Sequence, residues 1–411
     1  MKRLAATFLA AAPVLLAGPD TALVEKVYAK LAESFSAGEA LGQKGDFLLL
    51  AHPGVAVTDD FLSDPFHVAS LADRIPLPAR YYTTGSRTLS STYRTILASA
   101  EITNFVDQAR KQKALEARRL IYDRRAPGKP TPAFAAYLAC KAAWASAMDA
   151  LTLARTEQKA TGKAVPADLQ RAVDKAARDL EEKGHRKLIE DAQKDLETHY
   201  NANVKALFSN LTSELAAWSN HGHGEEWFSV TCSPPAESWL KAEGWNPFSL
   251  TQTEKSLAPA NLAVPLEKTA GAAPALPPDF LGSVTLTMDT KRVNFARPWL
   301  DAGIFKSSGW RLWKSSGFTM VSTGNPADRD PGIMPLLVTG ILLSRNLALT
   351  GAWSGGSPAP IKALGPFSVE KAVVRNGRLS LTASGAQILG FFCTTVPKSP
   401  NPDPAKDFRA P

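Results

Sequence analysis

Apolar residues recur every three or four positions through most of the first half of the chain. Through much of the last third they recur every second position, so helices are expected first and strands after them. Leu23, Val24, Val27, Leu31 and Phe35 outline a short amphipathic helix. Phe47–Leu50, followed by His52-Pro53-Gly54, reads as a buried strand entering a turn. Residues 59–78, interrupted by Pro65, Pro76 and Pro78, read as irregular. Ser90 or Ser91 can cap a helix start, and Tyr93, Ile96, Leu97, Ala100, Phe105, Val106 and Ala109 then predict one long helix running to Tyr122. Ala126-Pro127-Gly128-Lys129-Pro130 stops it, because proline cannot continue the hydrogen-bond ladder.

A second, alanine-rich helix is predicted over 131–159, with Tyr137, Cys140, Trp144, Ala147 and Leu151 on one arc. The third carries helical spacing from Leu169 to Trp218, with Gly184-His185 as a kink or break. Such a length is typical of a coiled-coil-like hairpin. Residues 232–280 hold eight prolines and read as a surface linker anchored by Trp239 and Trp245. Beyond Phe280 the period becomes two: Val284, Leu286 and Met288 alternate with Thr285, Thr287 and Asp289. Asn376-Gly377 between Ala372–Val374 and Leu379–Thr382 predicts a tight hairpin, since both residues accept the positive φ its turn requires. Further strands are expected within Ile333–Leu349 and Gln387–Val396.

These elements predict an α+β fold: an elongated antiparallel helical bundle followed by a C-terminal, sandwich-like antiparallel β domain. The expected divisions are 1–22 as signal peptide or N-terminal helix, 23–87 as a mixed segment, 88–231 as helical bundle, 232–280 as linker, 281–400 as β domain and 401–411 as tail.

Composition narrows the class. A chain of 411 residues with 45% hydrophobic and 21% charged positions is neither wholly disordered, collagen-like nor a multi-span membrane protein. Its net charge of +8 favours acidic surfaces without naming one. Three cysteines, Cys140, Cys232 and Cys393, are too few and too scattered for a disulfide scaffold or zinc ribbon. Lys2-Arg3 before the uncharged run Leu4–Gly18 has the layout of a secretory signal. It predicts a periplasmic or secreted protein; the alternative is a retained first helix on a cytoplasmic one.

Three groups of residues carry candidate chemistry. His221, His223 and Glu225 lie in a dense His-Gly-His-Gly-Glu-Glu run whose imidazoles and carboxylates suit a divalent metal; a glycine-rich helix cap with two solvated histidines is the competing reading. Arg118, Arg119, Arg124 and Arg125 centre a basic patch for phosphates of a membrane surface, or else form a solvated helix face; no reading motif points to nucleic acid. Arg297, Trp299, Trp310 and Trp313 are a candidate contact surface, with ring burial in the β core as the alternative. A Ser238-x-x-Lys241 spacing lacks the other acyl-transfer motifs. There is no phosphate-cradling glycine loop, Gly-x-Ser-x-Gly elbow or dinucleotide fingerprint, so no cofactor is expected beyond that metal.

Arg297-Pro298-Trp299-Leu300-Asp301, the Leu342–Leu347 block and the proline-rich tail resemble bacterial and fungal proteins of unknown function. The resemblance covers the last third of the chain and implies no activity or ligand. The leading expectation is an exported, non-enzymatic binding or assembly protein, with a helical spacer and a protein partner or self-assembly. Two alternatives stay open: a helical pore-forming type inserting residues 131–155, which Lys141 and Asp149 oppose, and a metal-dependent hydrolase at His221–Glu226.

Overall fold

The computed structural model describes residues 27–28, 30–31, 34–35, 47–79, 81–103, 108–123, 129–162, 164–202, 204–252, 280–313, 317–353, 361–404 and 408–409. The expected signal segment 1–22, Arg124 and Arg125 lie outside them. The first described residues are helical and bury Val27, Leu31 and Phe35, as their spacing predicts. After β1 (Phe47–Val57), the stretch expected to be irregular holds two short helices, α1 (Asp59–Ser63) and α2 (Pro65–Ala72). Proline starts α2 rather than breaking it. Pro65 stands in the first turn, where an N–H has no helical partner to lose, and Asp64 caps the helix by accepting from Phe66 N at 2.9 Å.

The expected long helix is two helices, α3 (Leu89–Ser99) and α4 (Gln108–Ile121). Between them Ala100–Thr103 is a strand paired with Trp310–Leu312 and Phe408–Arg409. Pairing with distant chain overrides helical spacing there. The alanine-rich segment forms α5 (Pro132–Thr161), capped by Thr131 and closed by Gly162 at φ 76°. The long periodic stretch is helical over α6 (Ala167–Glu182), α7 (Arg186–Ala202) and α8 (Val204–Ala217), with a break between α6 and α7. The α6–α7 break has a packing cause. A Cβ on Gly184 would lie 2.6 Å from Leu180 O and 3.2 Å from Cys140 Cβ, so glycine lets the bend press onto α5.

One curled antiparallel sheet organises the molecule. Its other strands are β2 (Thr231–Ser233), β3 (Asn246–Gln252), β4 (Phe280–Ala296), β5 (Leu336–Trp353), β6 (Lys371–Arg375), β7 (Arg378–Ala383) and β8 (Ala386–Thr395). The long β4 and β5 are neighbours. β2 and β3 pair with the outer edge of β4. Across β5, β8 and then β1 follow its first half, while β7 and then β6 follow its second. The β6–β7 turn uses Asn376 at φ 51° and Gly377 at φ 68°, as the hairpin motif predicts.

This arrangement corrects the expected fold class. Helix and strand are both abundant, but an elongated bundle followed by a separate β module is not the layout. β1, from the N-terminal segment, is hydrogen-bonded to β8 near the other end of the chain. One sheet face packs Leu48, Leu286, Leu342 and Phe392 against Val27, Leu31 and Phe35 and against Leu153 of α5. The opposite face packs Leu49, Val293, Ile341 and Phe391 under Val68 and Leu71 of α2 and under Trp239. A third core joins α3, α4, α7 and α8 to Trp299 and Trp310. The stretch expected as linker supplies β3 and most of β2, and Trp239 is fully buried. Pro247 is tolerated because β3 is an edge strand. Periodicity reveals that a face is buried, not which partner buries it.

Candidate functional site

A corner rich in aromatic and imidazole rings forms where α1 and α2 meet a hairpin, Ser219–Gly222 with Glu225–Phe228. Hairpin register places Glu226 opposite His221 and Glu225 opposite Gly222. His223 and Gly224 make the turn at φ 55° and 82°. His223 therefore leaves the strands altogether. Its Nε2 lies 3.0 Å from Asp64 Oδ2, and its ring stacks on Phe66 at 4.4 Å. Phe66 meets Trp227 edge-on at 6.2 Å, and His67 stacks on Phe61 at 5.2 Å. The result is a ladder running from helix to hairpin in which Phe61, Phe66, His67 and Trp227 are half-buried and His223 is exposed.

Carboxylates flank the ladder. Asp59, Asp60 and Glu225 are exposed, and Asp64 is half-buried beside His223. Glu226 accepts from Ser219 Oγ at 2.6 Å and from Arg94 at 2.7 Å, and these bonds hold its carboxyl below the usual range. Sequence reasoning missed Phe61, Phe66 and His67; the Asp-Pro-Phe-His helix start was the available signal.

The structure separates the three candidate metal ligands. His221 shares a hairpin face with Glu226, adjacent Glu225 points to the other face, and His223 turns to Asp64. Among the described residues, no group of three or more His, Cys, Asp or Glu side chains is placed to hold a metal. The candidate contact surface is divided too. Trp299 and Trp310 are fully buried and present no surface, whereas Trp313 is 39% exposed. Arg297 donates Nε to Ala72 O at 2.9 Å and a terminal nitrogen to Ala72 O and Val338 O, both at 2.6 Å. Within the basic patch Arg118 reaches Glu214 at 3.3 Å, while Arg119 is exposed. Cys232 on β2 and Cys393 on β8 are three strand spacings apart, roughly 14 Å, too far for a disulfide. None of the three cysteines is in a disulfide.

Several ionisable groups are buried. Burial raises Asp73, against the two bonds Ser90 donates to it and the nearby Arg297. Burial brings Arg297 down to about 10 and Lys291 to about 8; Lys291 donates to the carbonyls of Ser238, Trp239 and Lys241. Glu214 is pushed up to about 7 by burial, against the pull of Arg118. Asp149 of α5 is pushed to about 7 the same way, with Arg292 of β4 at 3.8 Å. Among the described residues no helix is long and apolar enough to cross a membrane. Compared with protein-family models, with curated proteins and with solved structures, the chain finds no match.

Proposed function

We propose that the chain is an exported binding or assembly protein whose contact face is the ring-bearing corner of α1, α2 and the hairpin Ser219–Phe228. The observation that carries this reading is the ladder Phe61, His67, Phe66, His223 and Trp227, part-exposed between acidic side chains, while Trp239, Trp299 and Trp310 are spent inside the cores. Rings with accessible edges and little side-chain freedom suit protein contacts. The basic N-terminal start with its apolar run supports the exported location.

A complementary face lies elsewhere on the same chain. On α4, Leu115 is 44% exposed with exposed Arg119 one turn further along the same face, and exposed Lys113 stands elsewhere on the same helix. An exposed apolar side chain on a helix that carries exposed bases fits a ring ladder flanked by acids, so this reading takes a second copy as the partner. Contact between two unlike faces repeats head to tail and builds chains or rings rather than stopping at a dimer.

Sedimentation velocity at rising protein concentration and low salt tests it. Species beyond a dimer are expected, weakening as salt screens the charges. Reversing the corner (Asp60→Lys with Glu225→Lys) or the helix (Lys113→Glu with Arg119→Glu) should each abolish association. Mixing the two variants should restore it. A monomer under all conditions, or association indifferent to both reversals, contradicts the proposal.

A further inference from the structure

Asp149 is the one acid that α5 carries between Pro132 and Thr156, and it lies on the side that faces the sheet. Its side chain is 3% exposed and that of Arg292 is 7% exposed, yet the closest approach between them is 3.8 Å, beyond hydrogen-bonding distance. Asp149 Oδ1 has no hydrogen-bond partner. Arg292 is drawn elsewhere: Nε donates to Asn294 Oδ1 at 2.8 Å, and the guanidinium lies 4.4 Å over the Phe392 ring. An ionised carboxylate in such a place has one distant cation and almost no donors, whereas a protonated one needs far less solvation.

The surroundings offer little other charge. On α5 itself, Lys141 reaches Tyr137 Oη, Arg155 reaches Gln170, and the buried neighbours Thr152 and Thr156 are neutral. From the N-terminal helical segment, Lys30 points to Ser249 O and lies over Phe248, and burial of Tyr28 raises it to about 12, which keeps it neutral. From the sheet, Thr290 is neutral and bonds Asn246 O, which leaves Arg292 as the charged group acting on Asp149 among the described residues. Beyond this pair α5 is held to the sheet by apolar side chains such as Leu153.

We propose that Asp149 and Arg292 form a pH-responsive latch between α5 and the sheet, closed while Asp149 is protonated and loosened as it ionises. The hairpin of α5 and α6, whose mutual contact includes Tyr137 with Leu180, is the unit it releases. The direction follows from proton linkage. Burial raises Asp149 to about 7 in the closed form, against about 4 for an open, solvated aspartate, so the closed form binds the proton more tightly. Its advantage is full below the open value and is lost as pH climbs through the closed one.

Hydrogen exchange of the intact protein, read by mass spectrometry on α5 peptides and corrected for intrinsic rate, tests the latch. Protection over residues 142–158 should fall about tenfold between pH 6 and pH 8.5 while β5 and β8 hold theirs. Asp149→Asn, which keeps size and cannot ionise, should remove that fall. Asp149→Leu provides a second uncharged variant if the asparagine disturbs packing. Unchanged wild-type protection, or a fall that survives both substitutions, overturns the proposal.

Discussion

Arg292 lies near the end of β4 and Arg297 directly after it; each is turned toward a helix, on opposite sides of the sheet. Their environments are opposites. Arg297 spends its donors on the carbonyls of Ala72, at the C-terminal end of α2, and Val338 of β5. A cation is welcome at that end of a helix, and the carbonyls that hold it cannot titrate, so its hydrogen bonds form a fixed strut even though the Asp73 carboxyl nearby feels its charge. Arg292 instead faces a single carboxylate across a gap. Burial alone therefore does not make a polar joint conditional. What matters is whether the partner can lose or gain a proton.

The largest expected effect tests the strut. Arg297→Met leaves the Ala72 and Val338 carbonyls bare under α2, and denaturant melts should show a loss of about 3–5 kcal/mol, most of it present at both pH 6 and pH 8.5 because the lost bonds go to carbonyls. A loss that depends strongly on pH would erase the contrast between the two arginines.

The second effect belongs to the buried acids. Glu214 is built like Asp149: it lies on α8, is 3% exposed in its side chain, pairs with Arg118 of α4 at 3.3 Å and is raised to about 7 by burial. For each acid, the folded value lies above the unfolded one, so stability is greatest in acid and falls as pH rises through about 7. Between pH 6 and pH 8.5 each should cost about 1.4 kcal/mol, and Asp149→Asn combined with Glu214→Gln should flatten the profile.

The smallest effect sharpens the picture. Asn294→Ala removes the acceptor that holds Arg292 Nε, at a cost of about 1 kcal/mol. It frees the guanidinium to approach Asp149, so the titration midpoint of Asp149 should move down. An unchanged midpoint would mean that Asn294 does not set the gap.

Much local structure was legible in the chain because its causes are local. The Asn376-Gly377 turn, the alternation around Val284–Met288 and the start and stop of α5 each rest on residues a few positions apart. The layout was not, because its decisive contacts are remote: β1 with β8, and Ala100–Thr103 with Trp310–Leu312. The same distinction governs the sites. The run around His221 drew notice for its composition, but the turn at His223 and the opposed faces of its strands scatter the three ligands. Arg297 drew notice for its tryptophan neighbour, whereas its bonds go to two carbonyls. Asp149 was visible as a charge in an alanine-rich helix; nothing in the sequence placed Arg292 beneath it.

Direct titration of the Asp149 carboxyl carbon by NMR, assigned by comparison with Asp149→Asn, is the sharpest measurement available. A midpoint near 7 is the result expected of a carboxylate enclosed with one distant cation. A midpoint near 4, the value of a solvated aspartate, would contradict the account and leave the α5 joint as fixed as the one at Arg297.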